Sequence, residues 1–324
     1  MAVIAGGDSS EYIVSIKSGA NVYAAIDTNK FNPWMVHIRG NEWTVVKEET
    51  KLANIDKTDF SFLLNGKKHK FDFAYITIHG TPGEDGILQG YFELVGVPYS
   101  TSDVHSSSLT FNKWFCNNYL KNFGIKMAKS IKINRNEQIN ISQIIEDLGL
   151  PLFVKPNAGG SSFGVTKVKN ESELENAIEK AWNEKSDALV EEFVPGAEFT
   201  CGLVKFLDEE IVFPVTEIIP KNEFFDYEAK YTPGATDEIT PARLPENLYE
   251  KCRQLASKIY NLCQCAGIAR VDFILNKNEF YFLEVNTTPG MTATSFIPQQ
   301  IKAMGLSLTD ILSQLIEEKL INKQ

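Results

Sequence analysis

Two short apolar runs, separated by a polar turn, place the strongest constraint on how this chain can fold. Residues 269–275 and 280–286 each have the length and the apolar and aromatic content of a strand, and the polar residues between them are typical of a hairpin. Side chains alternate between the two faces of a strand, so Glu284 and Asn286 point the same way, roughly 7 Å apart. Pairing of the two strands would also bring Asp272 beside them.

This cluster of three oxygen-bearing side chains suits a hard cation such as Mg²⁺. The alternative is that Glu284 and Asn286 only mark the polar end of a strand, because the run breaks immediately afterwards at Thr287-Thr288-Pro289-Gly290. Asp272 at the paired position favours the metal site.

The first residues predict a second feature, a doubly wound α/β unit. A short apolar strand at 2–5 leads through Gly6-Gly7 into a helix over about 10–28, and in such units ligands lie beyond the carboxyl ends of the strands. The G-x-G-x-x-G fingerprint is absent, so a dinucleotide is not indicated. Glu11, near the helix start, is either a partner for the helix dipole or a ligand for a substrate amine.

A histidine stands where the next predicted strand ends. The apolar run at 73–78 delivers His79 into a glycine-rich loop at 80–86, which is the position of an active-site group. Strands are also predicted at 34–38 and 43–46.

Lys155 ends another apolar run, at 152–156, and a loop of small residues follows it at 157–165. An unpaired buried ammonium is costly, and small residues let backbone N–H groups converge on phosphate, so this segment predicts an anion site. It is not a Walker A motif. Lys113, on a helix predicted to run through 109–120, taken alone indicates a solvated residue. The acidic strand region at 188–200 predicts either contacts that bracket a base and ribose or an edge strand with a solvated face.

Composition narrows the function classes. A net charge of −10 argues against a general nucleic-acid surface or an anionic membrane as partner. The chain shows neither a signal peptide nor an apolar run near the ~18 residues of a membrane span, so a cytoplasmic protein is expected. The five cysteines are scattered, and Cys263 and Cys265 are expected to be reduced rather than zinc ligands. The aromatic and charged segment at 224–234 is expected to be a loop that closes over the site.

Taken in order, these motifs resemble the D-alanine–D-alanine ligases of the ATP-grasp superfamily, over nearly the whole chain. The motifs that carry the resemblance are Gly6-Gly7…Glu11…Val14-Ser15…Ser18-Gly19, His79-Gly80…Gly83-Glu84-Asp85-Gly86…Gln89-Gly90, Val154-Lys155-Pro156…Gly160-Ser161-Ser162…Gly164-Val165, Asp226-Tyr227-Glu228-Ala229-Lys230-Tyr231, Arg270-Val271-Asp272, and Glu284-Val285-Asn286-Thr287…Pro289-Gly290-Met291-Thr292.

The resemblance implies an α/β protein of three-domain ATP-grasp architecture with an N-terminal Rossmann-like domain. The expected domains are residues 1–101 for substrate, 102–190 as the central ATP-grasp subdomain and 191–324 as the C-terminal one with the metal site. The implied activity is ATP-dependent ligation of two D-alanines, through an acylphosphate, for peptidoglycan and cell-wall synthesis. D-alanine and ATP would be its small-molecule partners, and the protein would be a homodimer that binds neither nucleic acid nor membrane.

The resemblance also assigns roles around the nucleotide. The residues expected to contact ATP are Lys113, Lys155, Ser161, Ser162, Glu191, Phe193, Val194, Glu198 and Lys230. Within this set the lysines and serines face the phosphates, residues 191–194 face the adenine and Glu198 faces the ribose. Asp272, Glu284 and Asn286 would hold two Mg²⁺ ions, for which Mn²⁺ can substitute.

Further roles concern the amino-acid substrates. Glu11 would bind the first amine, with His79 assisting near the same substrate. Arg270 and the Gly290 N–H would stabilise the oxyanion, and Ser295 would bind the second carboxylate.

Tyr231, linked in the family with Ser161 and Glu11, goes with an amine nucleophile, and relatives that join D-lactate lack this arrangement. A dipeptide is therefore expected rather than a depsipeptide. Phe225 stands where some relatives carry a tyrosine. The alternatives are a D-alanine–D-lactate ligase, another ATP-grasp carboxylate–amine ligase, or a non-catalytic nucleotide-binding protein, which would be expected to lack the metal ligands present here.

Overall fold

The computed structural model describes residues 1–221 and 236–321, and these residues form three β-sheets with helices packed against them. The expectation of an α/β protein is confirmed. None of the described helices combines the length and the apolar character that a membrane span requires.

The first sheet has the strand order β6-β5-β4-β3-β2-β1-β7. Its strands are β1 (Ala2–Gly6), β2 (Trp34–Arg39), β3 (Glu42–Lys47), β4 (Thr50–Asp56), β5 (Ser61–Leu64), β6 (Lys67–Lys70) and β7 (Ala74–Ile76). β1 pairs in parallel with both β2 and β7, and helix α1 (Tyr12–Ala25) follows β1 directly. The predicted opening of strand, glycine turn and helix is therefore confirmed.

The remaining strands of this sheet form an antiparallel extension, of which β3 was predicted at 43–46 and β4, β5 and β6 were not. β4 and β6 are mostly exposed, and three of the four residues of β6 are lysines, so neither strand shows the apolar alternation on which a strand prediction depends. Charged side chains on an outer strand also oppose edge-to-edge pairing with another chain. Helix α2 (Ile87–Val95) completes this part of the fold.

The prediction of one continuous helix through Lys113 is wrong. Helix α3 (Val104–Phe111) and helix α4 (Lys113–Lys121) are separated by Asn112, which has an extended backbone. The Asn112 Oδ1 accepts hydrogen bonds from Phe115 N at 3.1 Å and from Asn157 Nδ2 at 3.0 Å. Since Asn157 lies far along the chain, a tertiary contact sets this break, and it places Lys113 at the first position of α4.

The second sheet is antiparallel, with the order β10-β9-β11-β8. Its strands are β8 (Ser130–Ile133), β9 (Leu152–Pro156), β10 (Thr166–Val168) and β11 (Ala188–Glu192), and its helices are α5 (Ile141–Leu148) and α6 (Leu174–Asn183), with a 3₁₀ turn at Glu171–Glu173. Leu152, Val154 and Val190 pack into the core beneath the sheet. The residues between them therefore face the opposite side.

The third sheet has the order β15-β14-β12-β16-β17, with β13 paired to β12. Its strands are β12 (Ala197–Lys205), β13 (Glu210–Val212), β14 (Thr216–Pro220), β15 (Thr236–Ile239), β16 (Gly267–Asn276) and β17 (Glu279–Asn286). Helices α7 (Glu246–Leu262), α8 (Phe296–Ala303) and α9 (Leu308–Ile321) accompany it. β16 and β17 form the predicted antiparallel pair.

The division into domains at 1–101, 102–190 and 191–324 stays a proposal. The sheets follow one another along the chain in this order, and β11, the last strand of the second sheet, runs across the boundary at 190.

Candidate functional site

Strands of the second and third sheets, together with the start of α1 and the loop after β7, line one cleft of about 1260 Å³. The predicted site residues that line it are Glu11, His79, Lys113, Lys155, Ser161, Ser162, Glu191, Phe193, Val194, Glu198, Arg270, Asp272, Glu284, Asn286, Gly290 and Ser295. Lys230, Tyr231 and Phe225 lie outside the described residues. Residues far apart in sequence are thus gathered at one place, as the motif analysis expected.

The pairing of β16 with β17 builds one wall of the cleft. Asp272 lies opposite Glu284 and Arg270 lies opposite Asn286, so these four polar side chains share a face. A bulge interrupts the register between Asp272 and Phe273. The bulge changes which face each later residue of β17 occupies, and Val285 on the other face packs into the core.

Asp272 is held by three side chains. The Arg270 guanidinium donates two hydrogen bonds to its carboxylate, at 2.9 and 2.8 Å, and Thr200 Oγ1 and Asn286 Nδ2 donate at 2.5 and 3.1 Å. Although burial acts to lower the pKa of Arg270, the Asp272 carboxylate raises it overall. Arg270 therefore stays charged, and its rigid fork fixes the orientation of the carboxylate.

The donor set at this wall fits Mg²⁺. In the part of the chain that the structure describes, no group of three or more His, Cys, Asp or Glu side chains could hold a metal ion. The candidate set is instead two carboxylates and the Asn286 amide. Mg²⁺ in nucleotide enzymes is commonly bound through one or two carboxylates together with substrate phosphates and water, so this set is sufficient. Metal binding remains a prediction.

Two lysines face this wall from the other side. Lys113 Nζ lies 3.2 Å from Glu284 Oε2 and donates a hydrogen bond of 2.7 Å to the Gly159 carbonyl. Lys155 Nζ lies 2.7 Å from Glu191 Oε2. Both ammonium groups are largely buried and are balanced by carboxylates, so each is fixed in place. The expectation that Lys113 lies in a site rather than in solvent is consistent with this contact.

The strand alternation in β9 and β11 explains why Lys155 and Glu191 meet. Both project from the face opposite the core residues of the second sheet. Phe153 shares that face, and its ring centroid lies 6.1 Å from that of Phe193. Lys167 Nζ stands 4.3 Å above the Phe193 ring. Phe153 is a site residue that the motif analysis missed, although its position two residues before Lys155 predicts the shared face.

The small-residue loop after β9 approaches the first sheet closely. Ser161 and Ser162 have φ of 49° and 59°, a left-handed conformation in which successive N–H groups can form an anion-binding concavity. Ser161 Oγ donates a hydrogen bond to Glu11 Oε1. A Cβ at Gly160 would lie 2.6 Å from Glu11 Oε2, so a larger residue there would displace the Glu11 carboxylate or the loop. Glu11 forms no cap with its own helix, which favours the ligand interpretation of this carboxylate.

His79 joins the first sheet to the loop after β17. Its Nδ1 lies 2.8 Å from the Thr288 carbonyl, which can only accept, so this nitrogen carries the proton. Nε2 lies 3.1 Å from Ser18 Oγ, and the same hydroxyl accepts from Met291 N at 3.2 Å. Burial lowers the pKa of His79, which favours the neutral ring. Both ring nitrogens are therefore engaged with protein groups.

Gly290 and Ser295 lie together at the end of the cleft. A Cβ on Gly290 would lie 2.9 Å from Ser295 Oγ, and Ser295 Oγ accepts from Thr292 N at 3.0 Å. Ser295 immediately precedes α8, so an anion bound here would lie near the positive end of a helix dipole.

Glu84 is a buried carboxyl in the cleft to which the sequence assigned no role. Its Oε2 accepts a hydrogen bond of 3.0 Å from Gly80 N. Burial raises the pKa of Glu84 to about 8, and the neighbouring Glu11 carboxylate acts in the same direction. The Gly83-Glu84-Asp85 sequence carries no local signal that separates the buried carboxyl from the exposed one.

Glu84→Gln is expected to stabilise the protein increasingly as the pH rises. Between the ordinary carboxyl pKa and about 8, the folded wild type keeps a proton that the unfolded chain releases, so the wild-type free energy of unfolding falls with pH. The variant has no such dependence on pH. The difference between its free energy of unfolding and that of the wild type should therefore grow by on the order of a few kcal/mol. Urea unfolding of both proteins at about pH 5.5 and about pH 8 measures the difference. A constant difference would contradict the assignment.

Comparison with known proteins gives consistent matches over the whole length. A family model described as D-ala D-ala ligase N-terminus matches residues 1–102, and one described as D-ala D-ala ligase C-terminus matches residues 119–317. A D-alanine–D-alanine ligase of Phocaeicola vulgatus is 52% identical over 320 residues, which cover 98% of each chain.

Solved structures give the same result. The D-Ala:D-Ser ligase of Enterococcus faecalis has a TM-score of 0.85 and 36% identity, with 98% of each chain covered. The D-alanine–D-alanine ligase of Bacillus anthracis complexed with ATP has a TM-score of 0.78 and 32% identity, covering 99% of this chain and 97% of that one.

Proposed function

This chain belongs to the D-alanine–D-alanine ligase family, and we propose that it joins two D-alanines at the expense of ATP for peptidoglycan synthesis. Its fold is that of the ATP-grasp ligases. The observation that carries the proposal is that one cleft brings together the two lysines, the carboxylate wall, and Glu11 with its serine partner, which lie far apart along the chain.

ATP occupies the part of the cleft between the second and third sheets. Lys113 and Lys155 face its phosphates, and the left-handed turn at Ser161 and Ser162 closes over them. The chain at 191–194 reads the adenine edge, and Glu198 accepts from the ribose hydroxyls. Lys230 belongs to the same phosphate contacts.

Asp272, Glu284 and Asn286 hold Mg²⁺, as two ions that Mn²⁺ can replace. The metal, when bound, neutralises the charge that develops on the transferring phosphoryl group. Arg270 keeps the Asp272 carboxylate oriented, and Lys113 does the same for Glu284, so the ligands are fixed in advance.

The chemistry runs in two steps. A carboxylate oxygen of the first D-alanine attacks the γ-phosphorus of ATP, the bond to ADP breaks, and an acylphosphate forms. The amine of the second D-alanine then attacks the acyl carbon, loses a proton and expels phosphate. Activation is needed because a carboxylate is a poor acyl donor. The peptide bond forms at the carbonyl that the phosphate leaves.

Residues of this chain orient both substrates. Glu11, held by Ser161, binds the first ammonium, and Ser295 at the start of α8 binds the second carboxylate. Arg270 and the Gly290 N–H stabilise the tetrahedral oxyanion. His79 fixes Thr288 through its Nδ1–H, and so positions the loop that carries Gly290.

Phosphate release from ATP is the direct test. It should require both D-alanine and Mg²⁺, and the product should be the dipeptide. Equal turnover with L-alanine alone would reject the proposal.

The second substrate is the finer question, since a structure 36% identical to this chain is a D-Ala:D-Ser ligase. Tyr231, outside the described residues, supports an amine nucleophile over the hydroxyl of D-lactate. The yield of each product, measured with D-alanine, D-serine and D-lactate in competition, shows which second substrate the enzyme prefers. A larger yield with D-lactate would establish the depsipeptide alternative.

Gly160→Ala is expected to raise the KM for the first D-alanine by about 10- to 100-fold. The added Cβ would lie 2.6 Å from Glu11 Oε2 and must displace that carboxylate or the loop. Steady-state kinetics at saturating ATP measures the effect. Gly90→Ala is the matched control, because its Cβ would meet only a Val104 methyl at 3.8 Å. An unchanged KM in the first variant would show that Glu11 does not hold the substrate.

We further propose a cytoplasmic homodimer. The five cysteines are buried free thiols, and ATP is a cytoplasmic substrate, both of which support that compartment. Ile87 and Leu94, seven residues apart on α2, are 63% and 89% exposed and support an apolar contact face. Sedimentation equilibrium of the intact protein tests the dimer.

A further inference from the structure

A second cavity, of about 370 Å³, lies outside the cleft and shares no lining residue with it. Three segments meet there: the connector at 98–103, which leads from α2 to α3, the loop at 264–266 before β16, and Lys319 on α9. The reaction proposed above uses none of these residues.

Lys319 projects an unbalanced charge toward this cavity. Within residues 1–221 and 236–321 its ammonium forms no hydrogen bond or ion pair, although the side chain is partly buried. Burial lowers the pKa of Lys319, and the Asp103 carboxylate acts in the opposite direction. A strongly hydrated ammonium held away from water without a partner is costly, so a bound anionic group would relieve it.

Asp103 provides the complementary charge on the same cavity. One of its oxygens caps α3 by accepting from Ser106 N at 2.8 Å, and the carboxylate is otherwise exposed. Asp103 and Lys319 do not pair with each other. A simple anion at Lys319 would face the Asp103 carboxylate, and a simple cation at Asp103 would face the ammonium. A molecule that carries both charges close together satisfies both groups.

We propose that this cavity binds a small zwitterionic amino acid or dipeptide, with its carboxylate on Lys319 and its ammonium on Asp103. The volume is at the lower end of the range for small-molecule pockets. Pro98, Tyr99 and Ala266 also line the cavity and suit a small apolar side chain. The Tyr99 hydroxyl already donates to Glu93 Oε1 at 2.8 Å.

The connector links this cavity to two strands of the cleft. Ser100 N donates to the Ala74 carbonyl at 3.1 Å, and Ile76 N donates to Ser100 Oγ at 3.0 Å, so the connector is bonded to β7, just before His79. Ala266 N donates to Ser102 Oγ at 3.0 Å, just before the strand that carries Arg270. A ligand in this cavity would therefore contact a segment that is bonded to both strands.

Hydrogen–deuterium exchange of the intact protein locates binding without an activity readout. The probes are D-alanine, D-alanyl-D-alanine and acetate, in separate arms. Either zwitterion should protect peptides covering 98–103 and 264–267, and Lys319→Met should weaken that protection by about tenfold or more in ligand concentration. Lys302→Met, at an exposed lysine on α8, is the matched control and should leave it unchanged. Protection around 286–295 reports cleft binding separately.

Asp103→Asn separates a zwitterion site from an anion site, because asparagine retains the helix cap and lacks the charge. This variant should bind the two zwitterions more weakly and should bind acetate as the wild type does. The proposal is overturned if acetate protects the cavity as well as the zwitterions do, if Lys319→Met leaves cavity protection intact, or if protection is confined to 286–295. Should the methionine variant fail to fold, the asparagine variant alone decides.

Discussion

Replacing Glu284 with glutamine is expected to lower the turnover of ATP by about 10³-fold or more while leaving the fold intact. Glutamine keeps the shape of the side chain and removes the charge that would bind Mg²⁺. Lys113 loses its carboxylate partner at 3.2 Å but keeps its hydrogen bond to the Gly159 carbonyl, so the lysine stays in the cleft. The loss therefore reports on the metal and not on a displaced lysine.

The measurement is phosphate release across a range of Mg²⁺ concentrations, with thermal unfolding as the check on the fold. Binding of Mn²⁺ in the presence of ADP, followed by electron paramagnetic resonance, should weaken in parallel. Glu279→Gln, on the same strand, is the control, because Glu279 pairs only with the exposed Lys126 and Lys251 among the contacts described. Near-normal activity of Glu284→Gln would refute the metal assignment.

The strand that carries Glu284 shows which features of the site could be predicted from the sequence and which could not. The hairpin, the pairing of Asp272 with Glu284 and the shared face of Glu284 and Asn286 could all be predicted, because they depend on local pattern and on period-two alternation. The same alternation also makes a prediction that conflicts with the burial of the aromatic residues. Phe280 and Phe282 have the same parity as Glu284, which would place buried aromatic rings on the metal face.

The bulge at Asp272 and Phe273 resolves that conflict. It pairs Phe273 with Phe282 and Asp272 with Glu284, so Leu283 is the extra residue of β17. Phe280, Phe282 and Val285 then pack into the core, while Leu283 and Glu284 both line the cleft. The buried residues are two positions apart at Phe280 and Phe282 and three positions apart at Phe282 and Val285. This change of spacing would indicate the bulge, but the sequence does not show that Val285 is buried.

In the second sheet, the alternation of side chains along a strand was enough to predict which face a site residue occupies. Leu152 and Val154 alternate with Phe153 and Lys155, so the strand pattern alone places the lysine opposite the core. The contact of Lys155 with Glu191 could not be derived in the same way. It depends on the register in which β9 and β11 pair, and the chain carries no tight turn between them that would set it.

Other features depend on contacts between distant segments. Asn112 ends α3 and begins α4 because Asn157 bonds to its side chain, and neither glycine nor proline marks the position. Glu84 is perturbed because it is buried near Glu11, which is a property of the assembled cleft. Neither contact can be predicted from local sequence propensity, and both are seen only in the structure.

Replacing Arg270 with methionine is expected to have the second large effect, on stability as well as on turnover. Arg270 donates two hydrogen bonds to Asp272, and the two side chains are only 14% and 9% exposed. Methionine fills a similar length but leaves the carboxylate with neutral donors from Thr200 and Asn286. Removing one partner of a buried ion pair costs about 3–5 kcal/mol.

Turnover should fall by about 10²–10³-fold in addition, because we propose that the guanidinium also stabilises the oxyanion. Urea unfolding gives the first quantity, and kcat/KM below the unfolding range gives the second. Lys30→Met is the control: Lys30 and its partner Glu317 are both about half exposed, and the loss of this pair should cost about 1 kcal/mol or less. Arg270→Lys keeps the charge without the two-pronged geometry, so it should recover stability more than turnover. If Arg270→Met were as stable as the wild type, the guanidinium would not be what holds Asp272 in place.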